Sequence, residues 1–449
     1  MSGRRVAWIL GIVGVAWLAM PAAGTTYYVR VTGNDASVGT SKATAWKTID
    51  KAANTLKAGD TVYVGAGTYT EAITPNNDGT AAKPVKYIAD TAGTYTGDAG
   101  KVTIQAPANK RALNVDTDDY ARFIGFDLVG STGYDVVRWH TCVGGLLQNC
   151  TITKGPKDGV DVSSDAAITL DNCTIDDMVL SGVHLTGAGS AATISNCTIS
   201  NAGTDGVQVG TGTLLTVTNT TIHDTGDDGI GINGNVTATI TGCTVYNAAD
   251  CGVVVDNSTP TVMLAQLTIH DCLDGIRIRD NATLTAVNCL VYATSDEGVE
   301  IENHAGISAT FWHLTICGTA TNAFYIKGGT ASLRNCIIAK NSGRGIYKTG
   351  GTLTHTYNDF YSNAVGDFSG TSQSTGEILT DPMFVSAVDF QLQNTSPAIN
   401  TGTSGSGVTS VDLLGGVRPY GAGWDMGCYE YGSALPAKPK IVSWTQVSP

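Results

Sequence analysis

Two glycine-bounded steps, Gly203-Thr-Asp205-Gly206 and Gly226-Asp227-Asp228-Gly229, carry three aspartates about one repeat length apart. Carboxyl groups brought together this way can divide acid and base roles, because environment pushes their proton affinities apart. Asp227, Asp228, Asp250 and Asp274 also form a set of oxygen donors suited to Ca²⁺. His184 recurs one repeat after Asp161, a neighbour that would raise its pKa and make it a candidate acid or base. Arg277 and Arg279 can grip a carboxylate with two parallel hydrogen bonds. Tyr325 and Tyr347 offer ring faces on which a sugar could stack. Each group also has a plainer use. Asp before Gly is a favoured turn dipeptide. Arg277 beside Glu300, and Arg279 beside Glu302, suit ion pairs between neighbouring strands. Tyrosine and histidine are ordinary residues on an exposed strand.

What must position these residues is a repeat. A Gly-Val/Ile-x-Val/Ile step recurs at Gly159, Gly182, Gly206, Gly229, Gly252, Gly275 and Gly298, weakens at Ala323 and returns at Gly345. Gly133-Tyr-Asp-Val and Ala112-Leu-Asn-Val read as earlier, looser turns of the same register. A period in the low twenties marks a solenoid. The apolar elements are short, β-branched and alternating, which excludes a leucine-rich repeat and argues strands. Three such strands per turn make an all-β, right-handed parallel β-helix of about 23 residues per coil, with coils about 4.8 Å apart. On the strand after each Gly, steps one and three face inward, so steps two and four form an outer strip. Asp161, His184, Arg277, Glu300, Tyr325 and Tyr347 stand at step two, with Arg279 and Glu302 at step four.

Two further columns follow the period. Asn149, Asn172, Asn196, Asn219, Asn288 and Asn335 fit a stacked corner, where Asn tolerates a left-handed backbone. Cys150, Cys173, Cys197, Cys243, Cys289 and Cys336 share one inward position on the stack and read as buried thiols acting as small hydrophobes. Cys251 and Cys272 are the better disulfide candidates. Open ends of such a stack must be covered. A capping helix is expected over Thr44–Ala58, where Trp46, Ile49, Ala53 and Leu56 fall at helical spacing before Gly59. The expected organisation is a signal peptide (1–24), an N-terminal strand and capping helix (25–60), the β-helix (61–376), a C-terminal cap (377–433) and a tail or linker (434–449).

Composition narrows the function. The 449 residues carry a net charge of −13, which argues against nucleic acid as a partner. A 42% hydrophobic and 14% charged composition excludes disorder and a coiled coil. No transmembrane segment is expected in the mature chain, which is read as a monomer exported to the cell surface or beyond.

Three stretches resemble known families. Tyr27-Tyr-Val, Ala45-Trp-Lys-Thr-Ile and Ala58-Gly-Asp-Thr-Val-Tyr-Val resemble the start of secreted right-handed β-helix proteins of the pectate lyase-like superfamily. That group is similar to pectate lyases, chondroitinase B-like lyases and mannuronan epimerases, and the resemblance implies uronate polysaccharides and Ca²⁺. Asp381-Pro-Met-Phe, Ser396-Pro-Ala-Ile, Arg418-Pro and Asp425-Met-Gly-Cys-Tyr-Glu430 resemble the choice-of-anchor Q domain of bacterial surface proteins. The paired acidic steps resemble polygalacturonases. That likeness implies that Asp205 and Asp227 activate water, that Asp228 protonates the leaving oxygen, and that Arg277 and Arg279 bind substrate. Where that family carries Gly-His-Gly, this chain has Asp250-Cys-Gly252. Two readings stand: a lyase or hydrolase acting on an acidic polysaccharide, or a non-catalytic surface or matrix protein built on a rigid rod.

Overall fold

The computed structural model describes residues 24–405 and 410–434; residues 1–23 of the expected signal peptide and 435–449 of the expected tail lie outside them. Every third strand in the chain becomes a neighbour. Thr26–Val29, Thr61–Val64 and Val85–Ala89 begin the first sheet, and Gly67–Thr70, Val102–Gln105 and Asp127–Val129 the second. The third begins with Leu113–Val115, Val137–His140 and Val160–Ser163. Among the described residues the sheets hold 14, 13 and 12 strands. The fold is a right-handed parallel β-helix, the hand that parallel crossovers take. Among the described residues no helix is long and apolar enough to cross a membrane.

Register is fixed by which residues fit inside. Val160, Val183, Val207, Ile230, Val253, Ile276, Val299, Phe324 and Ile346 stack in one fully buried column. The glycine before each of them but Phe324, which follows Ala323, is required by close approach. A Cβ on Gly206 would lie 2.3 Å from Ile222 and 2.7 Å from the carbonyl oxygen of Gly229. At the opposite corner the asparagines hold positive φ, from 48° at Asn219 to 55° at Asn196, and Asn172 donates to Asn149 at 2.7 Å.

The register slips from expectation at one early coil. Val137 pairs with Val160, so Val136, not Gly133, is equivalent to Gly159. Gly133 and Tyr134 belong to a longer turn that stands out from the coil. The expected helix over Thr44–Ala58 is also shorter: only Ile49–Ala53 is α-helical. Trp46 is extended instead, bridging to Val29 and stacking on Tyr27 at 4.6 Å, and Thr48 caps the helix by accepting from Lys51.

Beyond the last coil, Ile378 bridges to Asp359, and the chain then returns along the flank. Phe384, Phe390, Leu392, Met426 and Cys428 pack on Leu290, Cys317 and Ile337 of the second sheet. Arg418 is wholly buried there, donating to Glu430 at 2.8 Å, to Asn288 at 2.6 Å and to two carbonyls. All its polar partners are supplied, as burial of a charge demands.

All eleven cysteines are buried free thiols. The disulfide expected of Cys251 and Cys272 does not form: Cys251 stacks in register with Asp274 on the third sheet, whereas Cys272 follows a second-sheet strand. Burial pushes the Cys289 and Cys336 thiols up to about 12. A thiol reagent added to native protein should label almost none of the eleven, and all of them after denaturation. Rapid native labelling of six or more would mean that the column does not face the interior.

Candidate functional site

The corner before the third sheet is where the acids gather. The residue preceding each column glycine runs Asp158, Ser181, Asp205, Asp228, Cys251, Asp274 and Glu297. Each of the four aspartates takes the backbone N–H of the next coil, whereas Glu297 accepts from the Asn322 side chain at 3.4 Å. Asp158 accepts from Ser181 at 2.9 Å, Asp205 from Asp228 at 3.4 Å, Asp228 from Cys251 at 2.9 Å and Asp274 from Glu297 at 2.9 Å. One oxygen of each aspartate therefore has a structural task; the other faces His184 in Asp158 and is held by Arg277 in Asp274.

Asp205, Asp227 and Asp228 come together, each offering a carboxylate oxygen within 4.8 Å of the others. Asp205 is buried, Asp228 half-buried and Asp227 exposed. The second oxygen of Asp205 sits over Gly231, where any Cβ would lie 2.5 Å away, so the missing side chain makes its room. Burial, reinforced by the charges of Asp228 and Asp227, raises Asp205 to about 7, and burial raises Asp228 to about 6. Both carboxyls are thus raised toward neutral pH, where either can hold or release a proton.

His184 lies between Asp158 at 3.6 Å and Asp161 at 3.7 Å. Its pKa is raised chiefly by Asp158, with desolvation opposing. It sits one coil before Gln208 on the outer strip, close enough for its charge to act on Asp205.

The four-acid cation set does not assemble as expected. Asp228 groups with Asp250 and Cys251, while Asp274 groups with Asp296 and Glu297. Asp274 is held by Arg277, whose guanidinium also meets Asp250 at 3.0 Å and Glu300 at 3.1 Å. With three carboxylates around it and only 11% of its side chain exposed, Arg277 has little left for a ligand. Arg279 leans back to Asp256 at 3.3 Å, and Glu302 pairs with Lys327 at 3.5 Å, so the expected Arg279–Glu302 pair is not made. Lys327 also binds Glu300. Tyr325 stacks on Tyr347 at 4.9 Å and carries Lys327 over its ring, so its faces are covered rather than open to a sugar. This end of the strip is a closed ionic network.

The other end was not singled out from the sequence. Asn114, Arg138, Asp161 and His184 are successive members of the same outer ladder. Where it begins, Lys110, Arg111, Asn114, Tyr134 and Arg138 line a cleft of about 410 Å³. Carrying the step-two column two coils further back, through Ala112-Leu-Asn-Val and the slipped coil, would have reached Asn114 and Arg138.

Comparison with known proteins agrees with this architecture. The family described as right handed beta helix region matches residues 111–259 and 181–329. A search of curated proteins finds no match in sequence. Among solved structures the chain is similar to pectate lyase Pel9A, with TM-score 0.51 and 15% identity over 91% of this chain and 97% of that one. It is also similar to XylC in complex with xylose, with TM-score 0.52 and 10% identity over 80% and 87%. At these identities the likeness is one of fold.

Raised acids have a thermodynamic signature. The folded state keeps protons that unfolded aspartates, ionising near pH 4, have lost, so stability falls as pH rises from about 4 through 7. Asp205 and Asp274, together with Glu297 at about 7, act in this direction. In a chelator, the melting temperature should fall from pH 5 to pH 8. Asp205→Asn keeps the acceptor for Asp228 N–H and should flatten that fall. A wild-type profile flat or rising over this range would contradict the assignment.

Proposed function

We propose that this chain is an exported, monomeric carbohydrate-active protein that cleaves an acidic, uronate-containing polysaccharide along the outer face of its third sheet. The observation that carries the reading is the Asp205–Asp228 pair: two carboxyls on adjacent coils, with oxygens within 4.8 Å, both raised and flanked by His184. Such a pair can give a proton to a leaving oxygen and accept one from water or from a sugar carbon. It therefore serves hydrolysis or elimination, and the product distinguishes them. Similarity in fold to a pectate lyase supports the substrate class.

Ca²⁺ is the cofactor of this reading. Asp228 is shared by two oxygen-bearing groups, and the Oδ1 of Asp250 is buried with no hydrogen-bond partner, a donor set suited to a hard cation. Asp227, Asp228 and Asp250 would hold it, and a bound cation would offset the acidic corner when a polyanion approaches. Asp274 is taken by Arg277 and is left out.

A non-catalytic rod has one specific observation behind it: Asp158, Asp205, Asp228 and Asp274 also cap the next coil, a task they would perform in a passive protein. Activity separates the two. Purified protein should degrade at least one of polygalacturonate, alginate or a glycosaminoglycan, assayed with and without Ca²⁺. Unsaturated ends would mark elimination, and new reducing ends alone hydrolysis. Asp228→Asn and Asp205→Asn should each lower turnover about 10²–10⁴-fold with little change in melting. Full activity in both variants would place the chemistry elsewhere, and no activity on any polymer would favour the passive rod.

A further inference from the structure

We infer that the cleft at the N-terminal end of the third sheet binds the carboxylate and hydroxyls of a single uronic acid unit, anchoring a chain that runs toward Asp205. The substrate class rests on the function proposed above; the site itself does not. In a protein of net charge −13, three cationic side chains, Lys110, Arg111 and Arg138, line one cavity. The acids around it are Asp135, held by Arg111 at 2.9 Å, and Asp161, 4.0 Å from Arg138. Lys110 makes no ion pair among the described residues, so the cleft keeps a net positive charge.

The cavity also has a shape and an unfilled polar demand. Its volume of about 410 Å³ is in the range of small-molecule sites. Tyr134 stands out on the turn made by the register slip, and Arg111 lies 4.7 Å from its ring centroid, which fixes the guanidinium plane. Arg111 Nε and Asn114 Oδ1 are buried with no hydrogen-bond partner. One is a donor and the other an acceptor, and both belong to cleft-lining side chains. Unmade bonds of this kind cost free energy, so a ligand that lets these side chains turn toward it is favoured. A uronic acid supplies both halves, a carboxylate to accept from guanidinium and hydroxyls to donate to the amide oxygen. A simple inorganic anion supplies chiefly the first.

Position gives the cleft its role. Arg138 and Gln208, on the coil of Asp205, are three ladder steps apart on one face, about 15 Å at about 4.8 Å per coil. A short oligosaccharide spans that distance. The other end of the strip is neutralised by its own ion pairs, so the carboxylate of a substrate has this end to bind.

The test is calorimetric titration of the full chain with short oligomers of galacturonate, glucuronate and mannuronate, with their methyl esters as uncharged controls and with sulfate. At least one free-acid oligomer should bind, its methyl ester at least tenfold more weakly. Arg138→Ala and Lys110→Ala should each weaken binding about tenfold or more with unchanged melting. Binding that needs Arg138 in a protein with no turnover would uphold the cleft and remove the catalytic proposal. Uronate binding indifferent to both basic substitutions, sulfate binding as tight as the sugar acid, or no binding by any oligomer would overturn the inference.

Discussion

Each coil lies directly on the one before it, residue over equivalent residue, and everything else in this molecule follows from that stacking. The ring ladder on the second sheet is a ruler for it. His223, Tyr246, His270 and Tyr292 follow one another at centroid distances of 4.8, 5.0 and 4.7 Å. The backbone hydrogen bonds of parallel strands set this distance, and side chains adapt to it. A repeat protein of this kind therefore brings like beside like whether or not the pairing is favourable.

The outcome depends on the side chain. Asparagine stacked on asparagine is stable, because each amide both donates and accepts, and the left-handed corner suits it. Cysteines stack as small apolar groups. Aspartates stack badly, since each adds charge to the next in a partly desolvated corner, and the protein answers in two ways. At Asp250, Asp274 and Glu300 it inserts Arg277 and closes the charge. At Asp205 and Asp228 no arginine intervenes, and proton affinity rises, as it does at Asp274 in spite of Arg277. The first answer makes structure. The second leaves reactive groups beside a strip emptied by Gly231, with the basic cleft of Arg138 at one end and the closed network of Arg277 at the other.

Stacking also explains what the sequence could reveal. Anything that repeats with the coil was readable: the inward valines and isoleucines, the positive-φ asparagines, the buried thiols and the outward order Asp161, His184, Arg277, Glu300. What depends on departures from the repeat was not. Tyr134 stands in the cleft because one turn is longer, and the glycine that resembles the repeat there is not its equivalent. Arg279 could lean to the coil before or after, and only packing directs it to Asp256. Trp46 has helical spacing but is claimed by Val29 and Tyr27. The C-terminal segment covers the second sheet through contacts more than a hundred residues apart in sequence, such as Arg418 to Asn288, which no local pattern announces.

We propose that an acidic glycan lies along the outer face of the third sheet, from the basic cleft toward the raised carboxyls. A crystal structure of the Asp228→Asn protein soaked with a short uronate oligosaccharide tests it most directly. The expected result is a sugar chain following the ladder from Arg138 past His184 to Asp205, with a carboxylate against Arg138 or Lys110. A chain bound on the first or second sheet, or across the Tyr325–Tyr347 end, would contradict it.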